Sequence, residues 1–73
     1  MKYRRFQGGV LLEIWPIEAD TPEEALRKAR QEVAFDCGMR AVCFIGEDGT
    51  QVYASKAGDS YIIPPDAQHQ ERA

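Results

Sequence analysis

A chain of 73 residues, 44% hydrophobic and 29% charged, has the size and composition of one globular domain near the lower limit at which a core alone sustains a fold. Its net charge of −3 lacks the basic surplus with which a general nucleic-acid binder releases counterions from phosphates. No apolar run reaches the ~20 residues of a membrane span, no secretory leader is visible, and two cysteines make no disulfide framework. A cytoplasmic, reducing location is therefore expected.

In chain order, residues 2–6 read as a first strand, and Gln7-Gly8-Gly9 supplies a hairpin turn. Val10 to Ala19 reads as one longer second strand. In it, Val10, Leu12 and Ile14 alternate with Leu11, Glu13 and Trp15, and Pro16 marks an edge or bulge. A helix is expected from Pro22 to Phe35. Thr21 is its N-cap, Pro22 its first residue, and Glu24 can reach back to complete a capping box. Leu26, Ala29 and Val33 form the inward stripe, with Arg27, Lys28 and Glu32 outward, and Gly38 is read as the C-terminal stop. The apolar run Ala41 to Ile45 reads as a central strand. Asp48-Gly49 predicts a tight primed turn into a strand over Gln51 to Lys56. A turn at Ala57-Gly58-Asp59 leads to a last strand from Ser60 to Ile63, stopped by Pro64-Pro65.

This order, β-β-α-β-β-β, predicts an α+β fold: an antiparallel twisted sheet with one helix packed across one face. Residues 1–65 form a single domain, and the polar residues 66–73 a disordered tail. One helix covers one face, so Leu11, Trp15, Tyr53 and Tyr61 are candidates for an apolar patch on the other, although Trp15 also suits a core.

No catalytic, cofactor or metal site is predicted. Cys37, Cys43 and His69 lack zinc-ligand spacing and a fourth ligand. The only histidine, the base a nucleophilic thiol needs, lies in the tail. Asp20, Asp48 and Asp59 sit at turns or caps, where aspartate has a structural role, and Gly8-Gly9 lacks the helix and lysine of a phosphate loop. Charge is uneven. Lys2, Arg4 and Arg5 make the N-terminus basic, while residues 13–36 hold seven acids against three bases. Arg4, Arg5, Arg40, Lys56 and Tyr53 could join in a basic-aromatic surface able to stack single-stranded nucleic acid.

Two resemblances narrow the function. Ile17-Glu18-Ala19-Asp20-Thr21, Ala25, Arg27-Lys28-Ala29, the run Gly49-Thr50-Gln51-Val52-Tyr53-Ala54-Ser55-Lys56, and Gly58 together resemble small phage-encoded anti-CRISPR proteins directed at type I surveillance complexes. That resemblance implies a non-enzymatic inhibitor in the host-cell cytoplasm. It would occupy a surface of a Cas complex subunit that otherwise holds DNA, with Lys56 best matching a contact position. The N-terminal hairpin and the Pro-Pro end depart from the pattern. Asp20 to Arg30 is similar to the helix start of HicB-type antitoxins, which implies neutralisation of a small toxin. The longer strand-rich half and any DNA-binding segment of that family are missing here.

The expected partner is thus a protein, with single-stranded nucleic acid as the alternative, and no membrane. Arg4, Arg5, Arg27, Lys28, Arg40, Tyr53, Lys56 and Tyr61 are the candidate partner-binding residues. An exposed edge near Pro16 or a bare sheet face also offers a route to a homodimer.

Overall fold

The computed structural model describes residues 1–65; the expected tail, 66–73, lies outside them. The elements are β1 (Lys2–Gln7), β2 (Val10–Leu11), β3 (Ile17–Glu18), α1 (Pro22–Phe35), β4 (Ala41–Gly46), β5 (Gln51–Ser55) and β6 (Ser60–Ile63). All pairings are antiparallel, in the order β2-β1-β4-β5-β6, with β3 also on β1. The helix lies over β5, with β4 and β6 beside it, which is the expected α+β arrangement.

The helix begins where its sequence directs. Thr21 is extended and its hydroxyl accepts the Glu24 N–H at 3.1 Å, with Pro22 opening the first turn. The reciprocal arm differs from a capping box, because Glu24 accepts from the N–H of Asp20, one residue before the cap, at 2.9 Å. That bond, together with the charges of Lys28 and Arg27, holds the Glu24 carboxyl below the usual glutamate range. The helix stops at Asp36 rather than through a left-handed Gly38. Asp36 is extended, and its carboxylate accepts the Gly38 N–H at 2.9 Å.

Alternation assigns the sheet faces. Tyr3 and Arg5 of β1, Val42 and Phe44 of β4, and Val52 and Ala54 of β5 are buried on the helix side, beneath Ala25, Ala29 and Val33. Leu26, Ile17, Met39 and Ile62 are partly buried against them. Three alanines at the interface bring helix and sheet close together. Gly46 belongs to this packing, since a Cβ there would stand 2.9 Å from the Tyr3 ring.

Two of the three hairpins share one design. The Gly49 N–H donates to Gly46 and the Gly46 N–H to Thr50; the Gly58 N–H donates to Ser55 and the Ser55 N–H to Asp59. Each is a three-residue loop whose last residue is a left-handed glycine, Gly49 at φ 95° and Gly58 at φ 108°. Asp48 keeps negative φ, so the primed turn expected at Asp48-Gly49 does not form. Its carboxylate instead accepts the Thr50 N–H at 2.9 Å and is held below the ordinary aspartate range by that bond. Gly8-Gly9 is the primed two-residue turn, with φ of 63° and 82°.

The single strand expected over Val10 to Ala19 is broken. Phe6 pairs with Leu11 and the Leu12 N–H still donates to Arg5 at 2.7 Å, but Tyr3 pairs with Ile17, so the register slips by three residues and residues 13–16 leave the ladder. Pro16 has no N–H to offer, and Trp15 sits at φ 54°. An odd slip moves the chain to the other face. Leu11 therefore points away from the helix, whereas Ile17 points towards it. Trp15 is 74% exposed, outside both the core and the ladder.

Candidate interaction face

On the side away from the helix, the register aligns one row across five strands. Leu11 lies opposite Phe6, Phe6 opposite Cys43, Cys43 opposite Tyr53 and Tyr53 opposite Tyr61. Residues directly opposite in antiparallel strands are nearest neighbours on a face, so this is a continuous apolar band. The Tyr53 and Tyr61 rings stack with centroids 5.6 Å apart and planes 14° from parallel. A second row, Arg4, Ile45, Gln51 and Ile63, runs beside it. Phe6, Leu11 and Tyr61 are exposed. Cys43 is half-buried, and burial pushes its thiol pKa up, so it stays a neutral apolar link in the band. A shallow depression of about 180 Å³ lies between Phe6, Gln7, Cys43 and Tyr53. No part of the described chain covers this surface.

The eight residues expected to bind a partner do not share one surface. Tyr53, Tyr61 and Arg4 share the open face, where Arg4 is held by Glu13 at 2.8 Å. Arg5 does not belong there. Strand alternation turns it beneath the helix, where it is 5% exposed, donates to Glu32 at 2.6 Å and lies 5.2 Å from the centre of the Phe44 ring. Glu32 is drawn inward with it rather than pointing to solvent. Lys56 is also turned from the Tyr53 face, and its ammonium donates to the carbonyl of Asp36 at 2.6 Å, closing the helix C-terminus. Arg40, just before β4, accepts the Lys56 N–H at its carbonyl. Arg27 and Lys28 lie on the helix surface beside Glu24, with Lys28 also donating to the carbonyl of Glu18. The expected basic-aromatic surface is therefore divided between opposite sides of the molecule.

Phe6 and Cys43 complete the band and were not singled out from the sequence. The signal for Phe6 was available, because a two-residue Gly8-Gly9 turn fixes Phe6 opposite Leu11. Among the described residues, no group of three or more Cys, His, Asp or Glu side chains could hold a metal ion, and no helix is long and apolar enough to cross a membrane.

Fold and face together define a small α+β domain with one sheet face clad by a helix and the other aromatic and uncovered by the described residues. Neither a protein-family model nor a curated protein nor a solved structure matches the chain.

Proposed function

We propose that this protein is a non-enzymatic binding module that docks a protein partner on the open face of its sheet. The observation that carries this reading is the uninterrupted band Leu11–Phe6–Cys43–Tyr53–Tyr61. A chain of 73 residues that leaves Phe6, Leu11 and Tyr61 exposed in one row has placed there apolar area that its core lacks. Stacked tyrosines supply large contact area at little entropic cost, as interface hot spots do. The resemblance to anti-CRISPR proteins supplies the partner class: a subunit of a type I Cas surveillance complex, inhibited by occlusion of its target-DNA site.

A single-stranded nucleic acid is the second reading, favoured by the Tyr53–Tyr61 stack as a platform for bases. It ranks lower because Arg4 is already paired with Glu13, Arg5 and Lys56 face elsewhere, and the chain carries a net charge of −3.

The test is co-purification with type I complexes, with target-DNA capture measured in parallel. Tyr53→Ala and Tyr61→Ala should each weaken binding by roughly tenfold or more, as hot-spot truncations do. Arg27→Ala on the helix surface should leave it unchanged. Failure to bind any type I complex, with DNA capture unaffected, removes the partner class. Binding that survives both tyrosine changes removes the face. Salt-sensitive capture of single-stranded DNA by the isolated protein would favour the second reading.

A further inference from the structure

The two edges of the sheet are unlike. One is made of β2 and β3, two residues each, separated by the excursion at residues 13–16, which includes Pro16. Such an edge is too short and too irregular to template another strand. The other edge is β6, Ser60-Tyr61-Ile62-Ile63, regular and free of charge and proline, and paired among the described residues only with β5. Within these four residues it carries no lysine, proline or bulge, and Pro64-Pro65 directly after it confine any pairing to this segment.

Hydrogen-bond parity shows what β6 presents. The Ser55 N–H donates to Asp59 at 2.9 Å, which makes that a hydrogen-bonded pair. By alternation Tyr53–Tyr61 is hydrogen-bonded too, while Ala54–Ser60 and Val52–Ile62 are not. The β4–β5 hairpin gives the same parity from its own closing bond, Gly46 to Thr50, which turns the Tyr53 backbone towards β6. Tyr61 and Ile63 thus spend their backbone groups on β5, and Ser60 and Ile62 direct theirs out of the sheet.

We propose that β6 pairs with β6 of a second copy of this chain, antiparallel about a two-fold axis through Tyr61. This register matches Ser60 of each copy with Ile62 of the other, so both outward N–H and C=O groups of each are satisfied. Tyr61 meets its own counterpart in a non-hydrogen-bonded pair, the kind in which side chains come closest. Both helices then lie on one side of a continuous sheet. On the other side the two apolar bands join end to end, and the Tyr53–Tyr61 stack extends across the axis. A closed two-fold pairing consumes the bare edge in both copies and leaves none for further growth. The occupant is a second copy because the strand is complementary to itself in this register.

Sedimentation of the full chain across micromolar to millimolar concentration should show a reversible rise from 8.2 kDa to twice that mass. A constant 8.2 kDa overturns the proposal. Ser60→Pro deletes only an outward N–H and leaves the open face unchanged, so it separates this inference from the partner reading. It should weaken the dimer by about thirtyfold, because one hydrogen bond is lost on each side of the axis. A dimer insensitive to it overturns the proposal, provided circular dichroism shows the fold intact. Where that variant fails to fold, Tyr61→Cys in a Cys37→Ser, Cys43→Ala background decides instead. A non-hydrogen-bonded antiparallel pair suits a disulfide, so Tyr61→Cys should oxidise rapidly to a covalent dimer. Leu11→Cys in the same background should form no covalent dimer. The reverse pattern would place the interface on the other edge and overturn the proposal.

Discussion

The pair Arg5–Glu32 offers a quantitative test of the buried layer. Arg5 lies beneath the helix against Phe44, with its Nε unpartnered among the described residues and Glu32 as its one carboxylate. Removing the acid by Glu32→Ala strands a cation that is 5% exposed. A hydrogen bond to a charged group contributes about 1.5–3 kcal/mol. Glu32 is itself 42% exposed in its side chain, which limits the loss to the lower part of that range, about 2 kcal/mol. In a domain of this size that lowers the melting temperature by about 10 °C. Arg5→Met removes the charge and keeps an unbranched chain of similar volume under the helix. It also frees Glu32 to return to water, so it should cost less than Glu32→Ala and can raise stability. Urea titration of both variants, followed by circular dichroism, gives the two free energies. If Arg5→Met proves the more damaging, the buried cation is a net stabiliser and the reasoning fails.

Three further outcomes are expected. Gly46→Ala places a Cβ 2.9 Å from the Tyr3 ring and should cost about 1–3 kcal/mol; the same change in a Tyr3→Leu background should cost measurably less, and equal costs would show that the ring does not set the requirement. Trp15→Asn relieves a φ of 54° at a residue 74% exposed, so it should leave the melting temperature unchanged or raise stability by about 1 kcal/mol, and a fall of that size would mean that the indole packs. Acid should destabilise the fold. Glu24 and Asp48 have folded-state pKa values below their ordinary ones, so their contribution is complete above the ordinary carboxylate range and is lost as pH falls through the folded values. Asp48→Asn together with Glu24→Gln should flatten that limb in acid-unfolding curves; an unchanged slope would assign the acid sensitivity to other carboxylates.

Local signals set much of this architecture. Thr21-Pro22 starts the helix, Gly8-Gly9 closes the first hairpin, the apolar run Ala41 to Ile45 marks β4, and the alternation in β5 needs no distant partner to be read. These are preferences of a few adjacent residues, and the chain expresses them whatever surrounds it. The helix stripe was legible for the same reason, with Ala29 and Val33 buried as expected and Leu26 partly so.

Tertiary structure decided what adjacency cannot carry. Period-two alternation from Val10 onward placed Leu11 and Ile17 on one face, but β1 accepts two short partners out of register by three residues, and Ile17 turns to the core. The fate of Arg5 depended on Phe44 and Glu32, 39 and 27 positions away, so composition read as surface charge what the fold uses as a buried bridge. Lys56 was drawn to the helix end by the carbonyl of Asp36, which also accepts the Met39 N–H and which no strand pattern announces. The sequence by itself determined where the helix and every strand but β3 begin, and that one helix would clad one face, because caps, turns and alternation act over a few residues. The pairing of distant strands decided which side chains share the other face, because only register brings Leu11, Phe6, Cys43, Tyr53 and Tyr61 into one row.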